Sequence, residues 1–137
     1  MFFSIHELPT SARPFLRFVV GAENDDIDEL SGLFQFDGVD DDSSLAEWER
    51  TAIEEAYAWF NAHLKVPPFG EISRYHRRTC WFRSDAGEHI RRMWELVALM
   101  RHLGWPVRFV WTHDPGQLVY YDQHQVVECT TRMFLRT

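Results

Sequence analysis

Between Asp85 and Pro106 the sequence spells out one whole element with its start and stop. Ile90, Met93, Leu96, Val97, Met100 and Leu103 recur at three- and four-residue spacing, the period of an amphipathic helix with one buried stripe. Asp85, with Glu88 three residues on, is placed to cap the start. Gly104 stands where a left-handed C-terminal cap belongs, and Pro106 follows it. Strand-like runs flank this helix: Thr79-Cys80-Trp81-Phe82-Arg83 before it, and Val107, Phe109 and Trp111 alternating after it. A helix that must bury one stripe, set between strands that must bury one face, constrains the chain to helices layered on a sheet.

The rest of the chain adds to that plan. Asp114-Pro115-Gly116-Gln117 reads as a type I or type II turn, with Gly116 supplying the positive φ if it is type II. Leu118 to Tyr121 returns, Asp122 to His124 turns again, and Gln125 to Thr130 is a further strand, so residues 79–130 read as strand, helix and three-stranded meander. An earlier helix spans about 44–64, with Ser44 and Glu47 as a capping box and Leu45, Trp48, Ala52, Ala56, Trp59 and Phe60 on one face. Ile53 and Leu64 lie on the edge of that face, and Val66-Pro67-Pro68 ends the helix. Pro67 to Tyr75 reads as a linker. Residues 1–43 are acidic and irregular, with a strand at Leu16–Val20, a short helix opened by Glu23–Leu30 and an acidic turn at Asp37–Asp42. The expected fold is α+β, with two main helices packed on a mostly antiparallel sheet.

With 137 residues, the chain suits one domain with its own core. Residues 1–65 hold 14 acidic and 4 basic residues against 7 and 10 in residues 66–137, which together make the formal net charge of −7. That balance argues against a protein built to hold duplex phosphates. Cys80 and Cys129 form no disulfide framework and no metal spacing. The N-terminus lacks the basic stretch of a signal peptide, and no apolar run approaches the ~18 residues of a membrane span. The expectation is a cytoplasmic protein with reduced thiols and no membrane association.

Three stretches carry a resemblance. They are Cys80-Trp81-Phe82; Glu88-His89-Ile90-x-x-Met93-Trp94-Glu95-Leu96-Val97-Ala98-Leu99 with Gly104-x-Pro106-Val107-Arg108; and Pro115-Gly116-x-x-Val119-Tyr120-x-Asp122-x-x-Gln125-Val126-Val127. With Ala58-Trp59-Phe60-Asn61-x-x-Leu64, they resemble a family of small uncharacterised bacterial proteins. The resemblance covers about half of the chain. It implies a bacterial origin and a single ordered domain, and it transfers no catalytic residue.

The chemistry-bearing residues favour structural readings. The sequence has no Gly-rich phosphate cradle, no His-Glu-x-x-His and no Gly-x-Ser-x-Gly. His63 and His89 fall on apolar helix faces and read as core or boundary histidines rather than as ligands. Cys80, between Thr79 and Trp81, reads as a buried structural thiol, not a nucleophile. No cofactor or metal is expected. Arg74-Tyr75-His76-Arg77-Arg78 is the one basic cluster with an aromatic, suited to phosphate or to pairing with the acidic N-terminal part. Asp40, Asp41 and Asp42 exceed what a helix start needs, and a field of that kind steers basic partners.

Trp48 and Trp111 have core positions, whereas Trp94 sits at its stripe's rim and Trp105 follows the cap glycine. Asp40, Asp41, Asp42, Arg74, Arg77, Arg78, Trp94 and Trp105 are therefore the candidate partner-binding residues. The reading leans to a non-catalytic protein-interaction or regulatory module of a bacterial cell or its mobile elements, with a protein partner. One alternative is an acidic inhibitor that mimics nucleic acid. The other is a small enzyme acting on nucleic acid through His76 or His89 and the arginines, so nucleic acid stays open as a partner.

Overall fold

The computed structural model describes residues 2–21, 31–32, 44–67 and 76–131. The Glu23–Leu30 helix, the Asp37–Asp42 turn and most of the Pro67–Tyr75 linker lie outside the described residues. The fold is α+β, with two helices and an antiparallel sheet. The elements run β1 (Phe15–Val20), β2 (Ser31–Gly32), α1 (Glu47–His63), β3 (His76–Arg83), α2 (Gly87–His102), β4 (Val107–Thr112), β5 (Leu118–Tyr121) and β6 (Gln125–Thr131). The chain divides into two compact units. One holds Met1–Leu16, Lys65–Gly87 and Trp111–Thr137, and the other holds Arg17–Leu64 and Glu88–Val110.

The first unit is sheet with two short 3-10 turns, Ile5–Glu7 and Thr10–Ala12. β3 pairs antiparallel with β6 from His76↔Thr131 to Phe82↔Gln125. β6 pairs with β5 across a register irregularity between Leu118 and Tyr120. Phe15 and Leu16 pair with Arg83 and Phe82. Phe15, Leu16, Leu118, Val126 and Val127 are fully buried.

In the second unit the buried stripe of α2 is the expected one, since Met93, Leu96, Val97 and Met100 are all buried. Its C-terminus closes as expected too. Gly104, at φ +93°, donates to the Arg101 carbonyl, and Trp105 donates to that of Met100, the paired bonds of a Schellman motif. The helices run antiparallel as neighbours. Trp59 near the end of α1 meets His89 near the start of α2, and Trp48 near the start of α1 meets His102 at the end of α2.

Several expectations change. The three strands of the meander are present, but only β5 and β6 are neighbours, and β4 pairs with β1. Gly21 N–H reaches the Pro106 carbonyl at 2.8 Å where β1 ends and β4 begins. A short loop permits a hairpin without compelling one, and Phe3 N–H donates to the Leu118 carbonyl of β5. At α1, Ser44 and Glu47 are not the capping box. The helix begins at Glu47, and the Glu49 carboxylate accepts the Ala46 N–H at 2.8 Å. At α2, the helix begins at Gly87, two residues after Asp85, whose carboxylate is engaged by the Arg83 guanidinium.

Exposure also departs from pattern. Trp48 is 60% exposed because the buried stripe of α1 centres on Ile53 and Phe60, with Ala56 and Tyr57 between them half-buried. Trp48 lies five residues before Ile53, well outside that arc. On β4 only Val107 is buried among the alternating residues, leaving Phe109 and Trp111 at 48% and 46% exposure. Cys80 is exposed between the buried Thr79 and Trp81, although Phe82 on the same side of β3 is covered. The strand's run of mixed apolar residues concealed that difference.

Candidate functional site

The second unit gathers imidazole and indole rings along the α1–α2 pair. At one end, the last turn of α1 leaves carbonyls without helix partners. His63 Nδ1–H donates to the Trp59 carbonyl, and His89 Nε2–H donates to the His63 carbonyl, each at 2.8 Å. The His63 ring stacks on Trp59 with centroids 4.4 Å apart, and the Arg92 guanidinium lies 4.7 Å from the same indole. His89 therefore satisfies a carbonyl at the helix end, while the His63 ring adds a bond to a carbonyl already within its own helix. His89 is buried, as its apolar face suggests, whereas His63 is exposed.

At the other end of the pair, His102 Nε2 lies 3.2 Å from Glu49 Oε2, and its ring lies 5.6 Å from Trp48. The Glu49 side chain is only 14% exposed against 57% for His102. Spacing alone did not reveal this grouping, because Glu49 and His102 are far apart in sequence. One local signal was available: Trp48 sits within Glu47-Trp48-Glu49-Arg50, a polar setting for a core residue.

The first unit holds a denser polar network. Arg83, 8% exposed, forms a two-pronged pair with Asp85 at 2.9 and 2.7 Å and donates to the Asp122 carbonyl at 2.7 Å. Asp122 Oδ1 accepts the N–H groups of His124 and Gln125, while Oδ2 accepts from the Tyr120 hydroxyl and the Gln125 amide. The remaining reach of the Gln125 amide is to the Lys65 carbonyl at 2.7 Å. Burial pushes the Asp122 carboxyl up, but these donors outweigh it and hold it below the usual range. Tyr120 is pushed up to about 12, by burial first and then by its bond to Asp122. With both carboxylate oxygens occupied, the arrangement locks the β5–β6 turn rather than presenting a free acid or base.

The candidate residues are divided between the two units and the segments outside the described residues. Trp94 is half-buried, edge-on to Phe18 at 5.0 Å and to Phe109 at 5.1 Å. Trp105 is half-buried beyond the helix cap. Arg78 is exposed on β3 opposite Cys129, and Arg77 pairs in register with Thr130. Trp94 and Trp105 belong to the second unit, Arg77 and Arg78 to the first. Asp40, Asp41, Asp42 and Arg74 lie outside the described residues. Burial pushes the Cys129 thiol up, with Arg78 opposing and Glu128 adding to that effect.

Among the described residues, no cluster of three or more His, Cys, Asp or Glu could hold a metal ion, and no helix is long and apolar enough to cross a membrane. No protein-family model matches the sequence, and neither a curated protein nor a solved structure is found similar to it.

Proposed function

We propose that this chain is a non-catalytic protein-interaction or regulatory module of a bacterial cell or its mobile elements, working in the cytoplasm. One observation carries the reading: Trp48, Phe109 and Trp111 stand 60%, 48% and 46% exposed. Large aromatic side chains supply much of the binding energy at protein interfaces, where a partner removes them from water. The bacterial setting rests on the family resemblance alone. A second reading, an acidic surface aimed at a nucleic-acid-binding protein, draws on the exposed Glu47, Glu54 and Glu55 that share α1 with Trp48.

The test is affinity capture from a bacterial lysate with the wild type, Trp48→Ala and the double variant Phe109→Ser/Trp111→Ser. The expected result is a partner that the wild type retains and at least one variant loses while keeping its melting temperature. Equal capture by all three chains, or no partner enriched over a blank, overturns the reading.

A further inference from the structure

The ends of the two helices meet at one titratable group. His102 lies in the last turn of α2, the negative end of the helix dipole, which favours positive charge. Its Nε2 faces Glu49 Oε2 at 3.2 Å, and its ring centroid lies 5.6 Å from that of Trp48, within the range at which a cation interacts with an aromatic ring. Glu49 is already committed on its other side, since Oε1 accepts the Ala46 N–H that opens α1 at 2.8 Å. Histidine changes charge between about pH 5 and 8.

We infer that His102, Glu49 and Trp48 form a proton-dependent staple between the last turn of α2 and the first turn of α1, which sets how Trp48 is presented to a partner. With a proton on His102, the imidazolium pairs with Glu49 and lies against Trp48. Without it, Glu49 keeps the Ala46 N–H and loses the His102 cation on its second oxygen, and Trp48 loses a charged neighbour. On α2, Arg101 donates to the Val107 carbonyl at 2.8 Å and Glu95 pairs with Arg91 at 2.6 Å. On α1, Glu47 and Arg50 flank Glu49 in sequence with opposite signs. The regulatory consequence rests on the interaction reading, whereas the staple itself does not.

The test is an NMR titration of the full chain from pH 5 to 8, following the His102 imidazole and the Trp48 indole N–H, the latter assigned with Trp48→Phe. The two resonances should move on one common curve. The Trp48 curve should be flat in His102→Gln and smaller in amplitude in Glu49→Gln, which keeps an acceptor for Ala46 N–H and so preserves the helix start. A flat Trp48 curve in the wild type, or one that survives in His102→Gln, overturns the staple. Partner capture at pH 5.5 and pH 8 separates the two readings. Trp48-dependent capture of equal strength at both pH values overturns the regulatory role and leaves the interaction module standing. A common titration curve in a chain that captures no partner supports the staple and overturns the module.

Discussion

Gly104 and Gly116 both hold positive φ, at +93° and +96°, and their surroundings differ. A Cβ on Gly104 meets nothing within 4 Å, whereas one on Gly116 falls 2.7 Å from Glu128 Oε2. Gly104→Ala should therefore lose only the backbone preference, about 1 kcal/mol. Gly116→Ala should lose a similar amount, because the crowding atom is the free end of the Glu128 side chain and can swing aside, so Glu128→Ala in that background should recover little. Urea unfolding of the wild type and the three variants measures this, and a clearly larger loss at Gly116 that Glu128→Ala relieves would contradict a carboxylate free to move.

Asp85 and Asp122 make a pH prediction at the same scale. The hydrogen bonds from Arg83 are the main cause holding Asp85 below the usual carboxylate range, against an opposing push from burial. Asp122 is held low by its donors despite burial. Carboxyls depressed in the folded state stabilise it while ionised. Their contribution is complete above the unfolded value of about 3.9 and is lost as pH falls through the lower folded value. Stability should thus drop below about pH 4, and less steeply in Asp122→Asn. Matching acid profiles for the wild type and that variant would refute the role given to Asp122.

At the scale of elements, α2 was the most legible. Its three- and four-residue spacing, glycine stop and following proline are all local signals, and the buried Met93 and the exposed Arg91 confirm the phase. Met93→Asp should cost several kcal/mol through an unpaired buried carboxylate. Arg91→Asp should lower the melting point only slightly, although it breaks exposed pairs with Glu88 and Glu95. Similar melting points for the two would contradict the assigned helix face. α1 was legible as a helix but not in its phase. Alanines at 52, 56, 58 and 62 leave the apolar arc broad, and contact with α2, not hydropathy, decides that Ile53 and Phe60 go inward.

At the scale of the whole molecule, the net charge of −7 makes association with a basic partner sensitive to salt. For a captured basic partner, the association rate should fall between low salt and 0.15 M, where the Debye length is about 8 Å. Changing Asp40, Asp41 and Asp42 together to asparagine should reduce that slope. A rate independent of salt would remove charge steering and leave the aromatic surface as the binding element.

The sequence by itself determined the features whose causes lie within a few residues. These include α2 with its left-handed stop, and Gly116 as a second position of positive φ. The strand segments and the α+β class belong with them. Tertiary structure alone decided that β4 lies beside β1, that Cys80, Trp48 and Trp111 face outward, and that His102 meets Glu49. The physical reason is that burial and pairing depend on what arrives from distant parts of the chain. Periodicity shows that a segment has an apolar face, but only a neighbour brought close by folding covers that face or leaves it in water.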